Sequence, residues 1–411
     1  MATTVYHIKV KGVKIPLIFK QDKRLPLVAM QLVFKASGSA LDKAAGLANL
    51  SACIMNEGTK ELGSVGFASA LDAKAIHMSA SAGVETLVIE SGCLKEQFGS
   101  AIQLLSALLK NPNLTQESLV KVKTDILGKI SAKENDYDYV ASNLLRTLLF
   151  AKTPLAHSRL GDAKSINQIT LEDIKVFLNQ HIVLSNLIVV MGGDISLKEA
   201  KERASLLAEE LSAGTICKLP RFITNTNSKE KILQKETQQA YIYFGAPYNI
   251  EVADKDYYKA KVATYILGSG GFGSRLMEEI RVKKGLAYSA YASLHVNHSA
   301  TYLSGYLQTK TQSLQEAKDT VNVVFKQFVE NGILNEELKQ AKRFLLGSEP
   351  LRVETLSQQL SRAFLEYYRG QKPGHYATEL QKIDDLSQKG LNDFIKQHKE
   401  ILNLSYAIVT K

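Results

Sequence analysis

Apolar residues in one part of the chain recur at helical spacing and are followed by a strand-like run. Within residues 171–178, Ile174 and Phe177 lie on one apolar face of a predicted helix, which Thr170 can cap. The apolar run 186–191 then predicts a strand. The pattern therefore indicates a helix-strand unit.

This unit recurs later in the chain at a constant separation of 217 positions (383 − 166). The matched pairs are Ile166 and Ile383, Ile169 and Leu386, Ile174 and Leu391, Phe177 and Phe394, Gln180 and Gln397, His181 and His398, Asn186 and Asn403, and Leu187 and Leu404. A second similarity pairs 114–117 with 334–337, and the strand-like runs 31–38 and 241–248 stand near the start of each half. Constant spacing over so many positions favours an internal duplication.

The duplicated halves predict an α+β fold class. The alternating segments 288–294 and 300–305 indicate a hairpin, so we expect each half to be a mainly antiparallel sheet packed with helices. The polar stretch 214–231 predicts a linker. We therefore divide the sequence into an amino-terminal half, 1–213, and a carboxy-terminal half, 232–411.

Composition is that of a globular protein: 45% of the 411 residues are hydrophobic and 22% are charged. The net charge of +10 is spread along the chain, which disfavours a nucleic-acid partner. No stretch is long enough to predict a membrane span, and the amino terminus lacks the apolar core of a signal peptide. We expect a cytoplasmic protein if the chain is full length, and a periplasmic one if a signal peptide has been removed. Cys53, Cys93 and Cys217 are too few and too scattered for a disulfide framework.

A glycine-rich string satisfies the G-x-G-x-x-G pattern with Gly268, Gly270, Gly271 and Gly273. A dinucleotide site would need an acidic residue about twenty positions further on. No Asp or Glu occurs in 280–314, so the pattern favours a flexible loop between two helices. The glycines still permit close approach of another backbone.

Common hydrolase and metal motifs are absent from the sequence: G-x-S-x-G, H-E-x-x-H and H-x-x-E-H do not occur. His295 and His298 form H-x-x-H, but they stand in or just after a predicted strand without a nearby carboxylate, which disfavours a metal role. His181 and His398 occupy equivalent helix ends, where a histidine commonly contacts carbonyl groups.

Residues 273–289 carry the strongest candidate site. An apolar helical face precedes Gly285, which can end a helix, and Tyr288 then stands on the next predicted strand. Such a turn could bring the guanidinium of Arg281 and the phenol of Tyr288 onto one surface, a pairing suited to peptide carbonyls or an oxyanion. From the residues alone, an exposed arginine beside a half-buried tyrosine is the simpler interpretation.

The run S-R-L-x-x-E-I-R-x-K-x-G-L-A-Y-S, at 274–289, resembles the carboxy-terminal signature of pitrilysin-type (inverzincin) metallopeptidases. That family includes mitochondrial processing peptidase and insulin-degrading enzyme. The duplicated organisation is similar too, so the resemblance spans essentially the whole chain and implies a bacterial relative of the processing peptidase. It also implies that Arg281 and Tyr288 help to position a peptide substrate.

The amino-terminal signature departs from this family. Active members carry G-L-A-H-x-x-E-H, which supplies two zinc ligands and a general base. In this chain Asn49 and Cys53 stand at the two histidine positions, and Ala52 stands at the glutamate position. Lys129 stands where a downstream glutamate supplies the third ligand. The resemblance therefore implies that this chain holds no zinc, has no other cofactor, and catalyses nothing on its own.

Some enzymes of this family are heterodimers in which one subunit supplies zinc and the other supplies the arginine-tyrosine pair. The resemblance thus implies a non-catalytic, substrate-binding subunit of a heterodimeric zinc metallopeptidase that degrades or processes peptides, with zinc on its paralogous partner. The loop from Gly268 to Gly273 would admit the peptide closely. The alternative is a non-proteolytic homodimeric scaffold or peptide-binding protein of the same fold, and a third, less favoured reading is an autonomous peptidase with an unorthodox metal site.

Overall fold

A computed structural model describes residues 3–411, which form two compact units. The first unit comprises the chain up to Ser131 together with Ser158–Pro220 and Arg352–Pro373. The second comprises Ala132–His157, Arg221–Leu351 and Gly374–Lys411. Each unit therefore includes one segment from the other half of the sequence. The predicted division of the sequence into two halves, joined by the linker 214–231, stays a prediction.

The strands of the described chain form one sheet in each unit. In chain order they are β1 Thr4–Val10, β2 Val13–Gln21, β3 Leu27–Lys35, β4 His77–Ala82, β5 Thr86–Leu94, β6 Leu187–Gly193, β7 Glu230–Gln234, β8 Gln239–Pro247, β9 Ala287–Val296, β10 Thr301–Lys310 and β11 Ser405–Thr410. The first sheet has the order β1-β2-β6-β3-β5-β4, and the second has the order β7-β11-β8-β10-β9. All neighbours are antiparallel except the pairs β2-β6 and β7-β11.

Helices cover both sheets. In chain order they are α1 Leu47–Met55, α2 Gly63–Asp72, α3 Phe98–Lys110, α4 Gln116–Lys133, α5 Tyr137–Leu149, α6 Ala163–Gln168, α7 Leu171–His181, α8 Leu197–Glu209, α9 Tyr257–Thr264, α10 Arg275–Met277, α11 Leu314–Asn331, α12 Asn335–Gly347, α13 Leu356–Tyr368, α14 His375–Asp385 and α15 Gln388–Gln397. No helix within residues 3–411 is both long and apolar enough to span a bilayer.

Alternation along the strands builds the first unit's core. Met30 and Leu32 of β3 point into a large core shared with α1, α3 and α7, whereas Val33 points to the opposite face. On that opposite face Val33 and Val190 pack against Leu360 of α13. The first sheet is thus covered by its own helices on one side and by a helix from late in the sequence on the other.

The second unit repeats this arrangement. Ile242 and Phe244 of β8 point into the core formed with α9, α11 and α15. On the other face of β8, Gly245 lies against Leu145 and Leu149 of α5, a helix from the first half of the sequence. Each sheet therefore carries one helix from the other half on its second face.

The duplicated helix-strand unit has the same local geometry in both copies. Thr170 caps α7 and Ser387, at the equivalent position (387 − 170 = 217), caps α15. The His181 ring lies 4.5 Å from that of Phe177, and the corresponding ring distance in the second copy is 4.4 Å. These features confirm the predicted α+β class built from two related halves.

Candidate functional site

The degenerate zinc-site positions lie together on and beside α1. Ala52 is fully buried under the first sheet, whereas Asn49 and Cys53 are partly buried. The Asn49 Nδ2 atom is buried and has no hydrogen-bond partner among the described residues. The segment that resembles the amino-terminal signature forms a regular helix, α1, which carries Asn49, Ala52 and Cys53.

Cys53 faces α4, the helix that carries Lys129. Burial raises the pKa of the Cys53 thiol, the positive charge of Lys129 acts to lower it, and Asp125 and Glu57 act to raise it. The thiol therefore stays protonated at neutral pH despite the nearby ammonium group. The charge of Lys129 therefore acts on Cys53. That Lys129 stands at the position of the third zinc ligand stays a prediction from the family resemblance.

These side chains do not fit a zinc ion. Of Asn49, Ala52, Cys53 and Lys129, only the cysteine belongs to the residue types that commonly ligate zinc, and the lysine contributes a repulsive charge. Within residues 3–411 no group of three His, Cys, Asp or Glu side chains is placed to hold a metal ion. No catalytic step through zinc can be assigned to this chain.

Asp42, a residue that no sequence motif singles out, fixes the start of α1. Its carboxylate accepts the backbone N–H groups of Gly46 at 3.0 Å and Ala48 at 2.8 Å. Burial nevertheless raises the pKa of Asp42 to about 7, because removal from water costs the charged form more than these two bonds return. Hence the helix begins at a carboxyl group that titrates near neutrality.

Glu57 is a second residue whose structural role the sequence does not indicate. Its side chain is buried and pairs with Lys121 of α4 at 2.7 Å, while its backbone carbonyl accepts the Asn113 amide at 3.2 Å. These contacts tie the end of α1 to α4. A pairing between two helices distant in sequence has no local signal, so only the fold reveals it.

Arg281 and Tyr288 come together as the sequence predicted, and a third residue joins them. The Arg281 guanidinium lies 4.2 Å from the ring centre of Tyr288 and 4.5 Å from that of Phe272. Both rings are largely in solvent, with Tyr288 81% and Phe272 67% exposed. The two rings cover the faces of the guanidinium, so its N–H donors remain available in the plane of the group.

The predicted regular helix over this segment is only partly correct. After the single α-helical turn α10, residues Glu278–Lys283 form a π-helical turn. The turn ends at Gly285, where the Gly285 N–H donates to the Arg281 carbonyl at 3.1 Å and the Leu286 N–H donates to the Ile280 carbonyl at 2.8 Å. A π-turn contains an extra residue per turn and is common at functional sites. It sets the direction in which Arg281 leaves the backbone, which helical spacing alone could not predict.

The glycine-rich loop also has structural reasons for its composition. A side chain at Gly268 would place its Cβ 2.5 Å from the Ala292 backbone nitrogen, so the close approach there is to β9. Gly271 has φ of +60° and open space beside it. The neighbours of Gly270 and Gly273 are side chains and backbone of this chain, namely Tyr265 and Gln340. The peptide-binding role of the loop stays a prediction.

Arg275 anchors this loop to α12. Its guanidinium donates two bonds of 2.7 Å to the Glu337 carboxylate and one of 2.7 Å to the Gly332 carbonyl. Burial acts to raise the pKa of Glu337, but the Arg275 hydrogen bonds and charge outweigh it, so the pKa is lowered. The segment that presents Arg281 is therefore held by a bidentate pair.

The histidines have structural partners. His295 stacks on Tyr302 at 4.5 Å and contacts Ser304 Oγ at 2.8 Å, and burial lowers its pKa to about 4. His181 Nδ1 contacts the Ala36 carbonyl at 2.7 Å, and His398 pairs with Glu400 at 2.8 Å. These contacts agree with the structural interpretation of the histidines.

A row of tyrosines crosses the second sheet on the face that carries α5. Tyr291, Tyr306 and Tyr243 occupy directly paired positions of β9, β10 and β8, with ring centres 5.5 Å and 4.8 Å apart. Asp138 of α5 hydrogen-bonds to Tyr306, and burial raises the pKa of that carboxyl. The sequence alternation predicts that these tyrosines share a face, but it cannot predict which helix meets them.

Family profiles match most of the chain. Residues 18–163 match insulinase (peptidase family M16), and residues 168–345 match the peptidase M16 inactive domain. A Helicobacter pylori protein named non-peptidase homolog YmxG is 43% identical over 410 residues, which cover all of this chain and 95% of that protein. This chain belongs to the peptidase M16 family. The M16 assignment confirms the resemblance to insulin-degrading enzyme and its relatives.

Other M16 proteins are more distant. A Bacillus subtilis protein named uncharacterized zinc protease YmxG is 24% identical over 66% of this chain and 65% of its own length. The peptidase M16 inactive domain from Pseudomonas fluorescens has a TM-score of 0.92 at 23% identity, covering 99% of this chain and 98% of that one. A chain of complex III2 from Candida albicans has a TM-score of 0.80 at 15% identity, covering 99% and 96%. These structures share the M16 fold.

Proposed function

We propose that this chain is the non-catalytic, substrate-binding subunit of a heterodimeric zinc metallopeptidase that degrades or processes peptides. One observation carries the proposal. Arg281 stands partly exposed between two aromatic rings that are largely in solvent, whereas Asn49, Cys53 and Lys129 stand at the positions that the family resemblance matches to zinc ligands. A chain that had lost all contact with peptide has no evident need for two solvent-exposed rings around a guanidinium.

The geometry suits a peptide carbonyl. Stacking between Phe272 and Tyr288 restricts the guanidinium without using its N–H groups, so less side-chain freedom is lost when Arg281 binds. The Tyr288 hydroxyl can donate to the same region. The partner, a zinc-bearing M16 paralogue, supplies the metal and the base. The 43% identical relative named a non-peptidase homolog supports a chain without peptidase activity of its own.

The alternative proposal is a non-proteolytic homodimer or scaffold. The shared fold with a chain of complex III2 supports it, because that chain is part of a large assembly. Self-association of the purified protein, measured by light scattering, together with failure to bind a zinc-bearing paralogue, would favour this reading.

Reconstitution with the paralogue tests the first proposal. We expect peptide cleavage by the mixture to exceed that of the paralogue alone, and Arg281→Ala to lower kcat/KM at least about tenfold while leaving association intact. Tyr288→Phe should have a smaller effect in the same direction. Arg343→Ala, at an exposed arginine of α12, is the matched control and should change nothing. Cleavage that is indifferent to Arg281→Ala contradicts the proposed role.

A further inference from the structure

Small side chains on two neighbouring strands leave a hollow on the face of the first sheet that carries α13. Ala29 lies opposite Gly92, and Gly92 lies opposite His77, in directly paired positions of β3, β5 and β4. α13 begins only at Leu356, beside this row. The result is a cavity of about 750 Å³. That volume lies within the range of roughly 300–1,000 Å³ that is typical of small-molecule sites.

The walls of this cavity, which we call the leucine cavity, are apolar. They include Leu25, Leu27, Leu94 and Leu356, of which Leu25 is 62% and Leu27 43% exposed. Gly92 and Ala29 form part of the floor, and neither side chain carries a charge. Exposed concave apolar surface favours a ligand that removes it from water.

One end of the leucine cavity is basic. A second cavity, of about 510 Å³, shares Asp22 and Arg24 with the first and is also lined by Lys20 and Lys23. The Asp22 carboxylate is already occupied, because Arg24 donates to both of its oxygens at 2.6 to 3.1 Å. Neither lysine forms an ion pair among the residues that the structure describes. The other acidic side chain at the cavity, Glu354, is exposed to solvent.

Lys9 and Lys14 form a second basic pair on this face of the sheet. They are exposed and lie directly opposite each other, an arrangement that is unfavourable for like charges. Lys14 stands at the start of β2, whereas Lys20 stands near its end, at the level of the leucine cavity. The positive charge beside the apolar hollow is therefore that of Lys20 and Lys23.

We propose that the leucine cavity and its adjoining lysines bind a small amphipathic anion, namely an apolar chain that ends in a carboxylate. The chain fills the hollow over Gly92, and Lys20 and Lys23 hold the carboxylate. The cavity volume fits a single small molecule. The site lies within the first unit of this chain, and its lining includes neither Arg281 nor Tyr288.

Calorimetric titration with dodecanoate below its critical micelle concentration tests the charge preference. We expect one site per chain and affinity at least about tenfold higher than for dodecyltrimethylammonium, which has the same chain and the opposite charge. The combined change Lys20→Glu and Lys23→Glu should weaken dodecanoate binding at least about tenfold. Lys164→Glu, on α6 at the other face of the sheet, should leave it unchanged.

Filling the hollow tests its location. A Cβ at Gly92 meets nothing closer than the Val28 carbonyl at 4.0 Å, so the strand should accept Gly92→Leu, which we expect to weaken dodecanoate at least about tenfold. Gly99→Leu on α3, where no atom lies within 4 Å, is the matched control. Ala29→Leu gives a second filling variant if Gly92→Leu fails to fold.

Three outcomes overturn the proposal: equal affinity for the two head groups, unchanged binding after the hollow is filled, and absence of dodecanoate binding. A protein that sediments with phosphatidylglycerol vesicles, but not with phosphatidylcholine vesicles, and does not bind free dodecanoate has a membrane-binding surface instead. That result also contradicts the small-molecule site. Activity of a reconstituted peptidase is not part of this test, so its failure leaves the proposed subunit role unaffected.

Discussion

At the scale of single residues, the positions that the family resemblance matches to zinc ligands carry side chains that do not form a zinc site. Asn49 and Cys53 stand one helical turn apart on α1, and Cys53 is electrostatically coupled to Lys129 on α4. We therefore expect zinc binding by these two helices to depend on the ligand side chains.

Restoring the ligands should therefore restore the metal. We expect the triple variant Asn49→His, Cys53→His and Lys129→Glu to bind about one zinc per chain, whereas the unmodified protein retains less than about 0.1. Metal analysis after dialysis measures both. A control variant keeps Asn49→His and Cys53→His but carries Lys123→Glu, on the same helix, in place of Lys129→Glu. It should bind zinc at least about tenfold more weakly than the first triple variant. A folded triple variant without zinc would mean that the three positions do not converge.

Asp42 predicts a pH dependence of stability. Its pKa is about 7 in the folded protein, against a usual value near 3.8, so the folded state holds the proton more tightly than the unfolded state. This contribution to stability is present below about pH 4 and is lost as the pH rises to about 7. From pH 5 to pH 8 the melting temperature of the wild type should fall relative to that of Asp42→Asn. A difference that stays constant over this interval contradicts the raised pKa.

The sequence located most of these positions but not their environments. The family resemblance implied Asn49, Cys53 and Lys129 as degenerate metal-site positions, and residue type and spacing singled out the Arg281 segment. They could not identify Phe272 as a second ring against Arg281, because that contact depends on how the glycine-rich loop folds back. Asp42 was missed because one acidic residue before a helix carries no signal of burial.

At the scale of secondary-structure elements, apolar periodicity predicted the helices and strands well where the fold repeats. The duplicated helix-strand units, the β9-β10 hairpin and the helices opening near 114–117 and 334–337 all form as expected. The segment before Gly285 differs because its π-helical turn is set by tertiary contacts, including the Arg275 pair with Glu337. Local propensity does not distinguish an α-turn from a π-turn.

The tyrosine row should contribute to the attachment of α5. The Tyr306 hydroxyl hydrogen-bonds to Asp138 and lies 3.1 Å from Gln308 Oε1. We expect Tyr306→Phe to lower the free energy of unfolding by about 1–2 kcal/mol, since it leaves a partly buried carboxylate with one bond fewer. Urea denaturation measures the change.

Tyr6→Phe is the matched control for this prediction. The Tyr6 ring lies 5.3 Å from the Lys201 ammonium, a contact that phenylalanine retains, so its stability should stay within about 0.5 kcal/mol of the wild type. Equal changes in the free energy of unfolding for the two substitutions would mean that the Tyr306 hydroxyl contributes no more to stability than the Tyr6 hydroxyl.

At the scale of the whole molecule, the exchange of segments between halves makes each unit depend on both parts of the sequence. Without α13, the first sheet exposes Ile18, Val33, Ile188 and Val190 on one face. Residues 1–213 expressed alone should therefore fail to unfold cooperatively, and co-expression with 214–411 should restore a cooperative transition.

A pair of substitutions in α13 sharpens this experiment. Leu360 is buried against the first sheet, whereas Leu365 is 45% exposed on the same helix. Leu360→Asp in the second fragment should prevent the rescue, and Leu365→Asp should permit it. Independent cooperative folding of 1–213 would instead support the predicted sequence halves as domains.

The sequence by itself determined the duplication and the α+β class, because both follow from residue types at regular spacing along the chain. The missing zinc ligands and the role of the arginine-tyrosine segment are instead what the resemblance to the M16 family implies. Only the tertiary structure decided that α5 and α13 cover the sheets of the opposite halves, that Phe272 joins Arg281, and that Ala29 and Gly92 open the leucine cavity. These features depend on contacts between residues far apart in sequence. Periodicity states which face of an element is apolar, but the partner of that face is chosen by the fold.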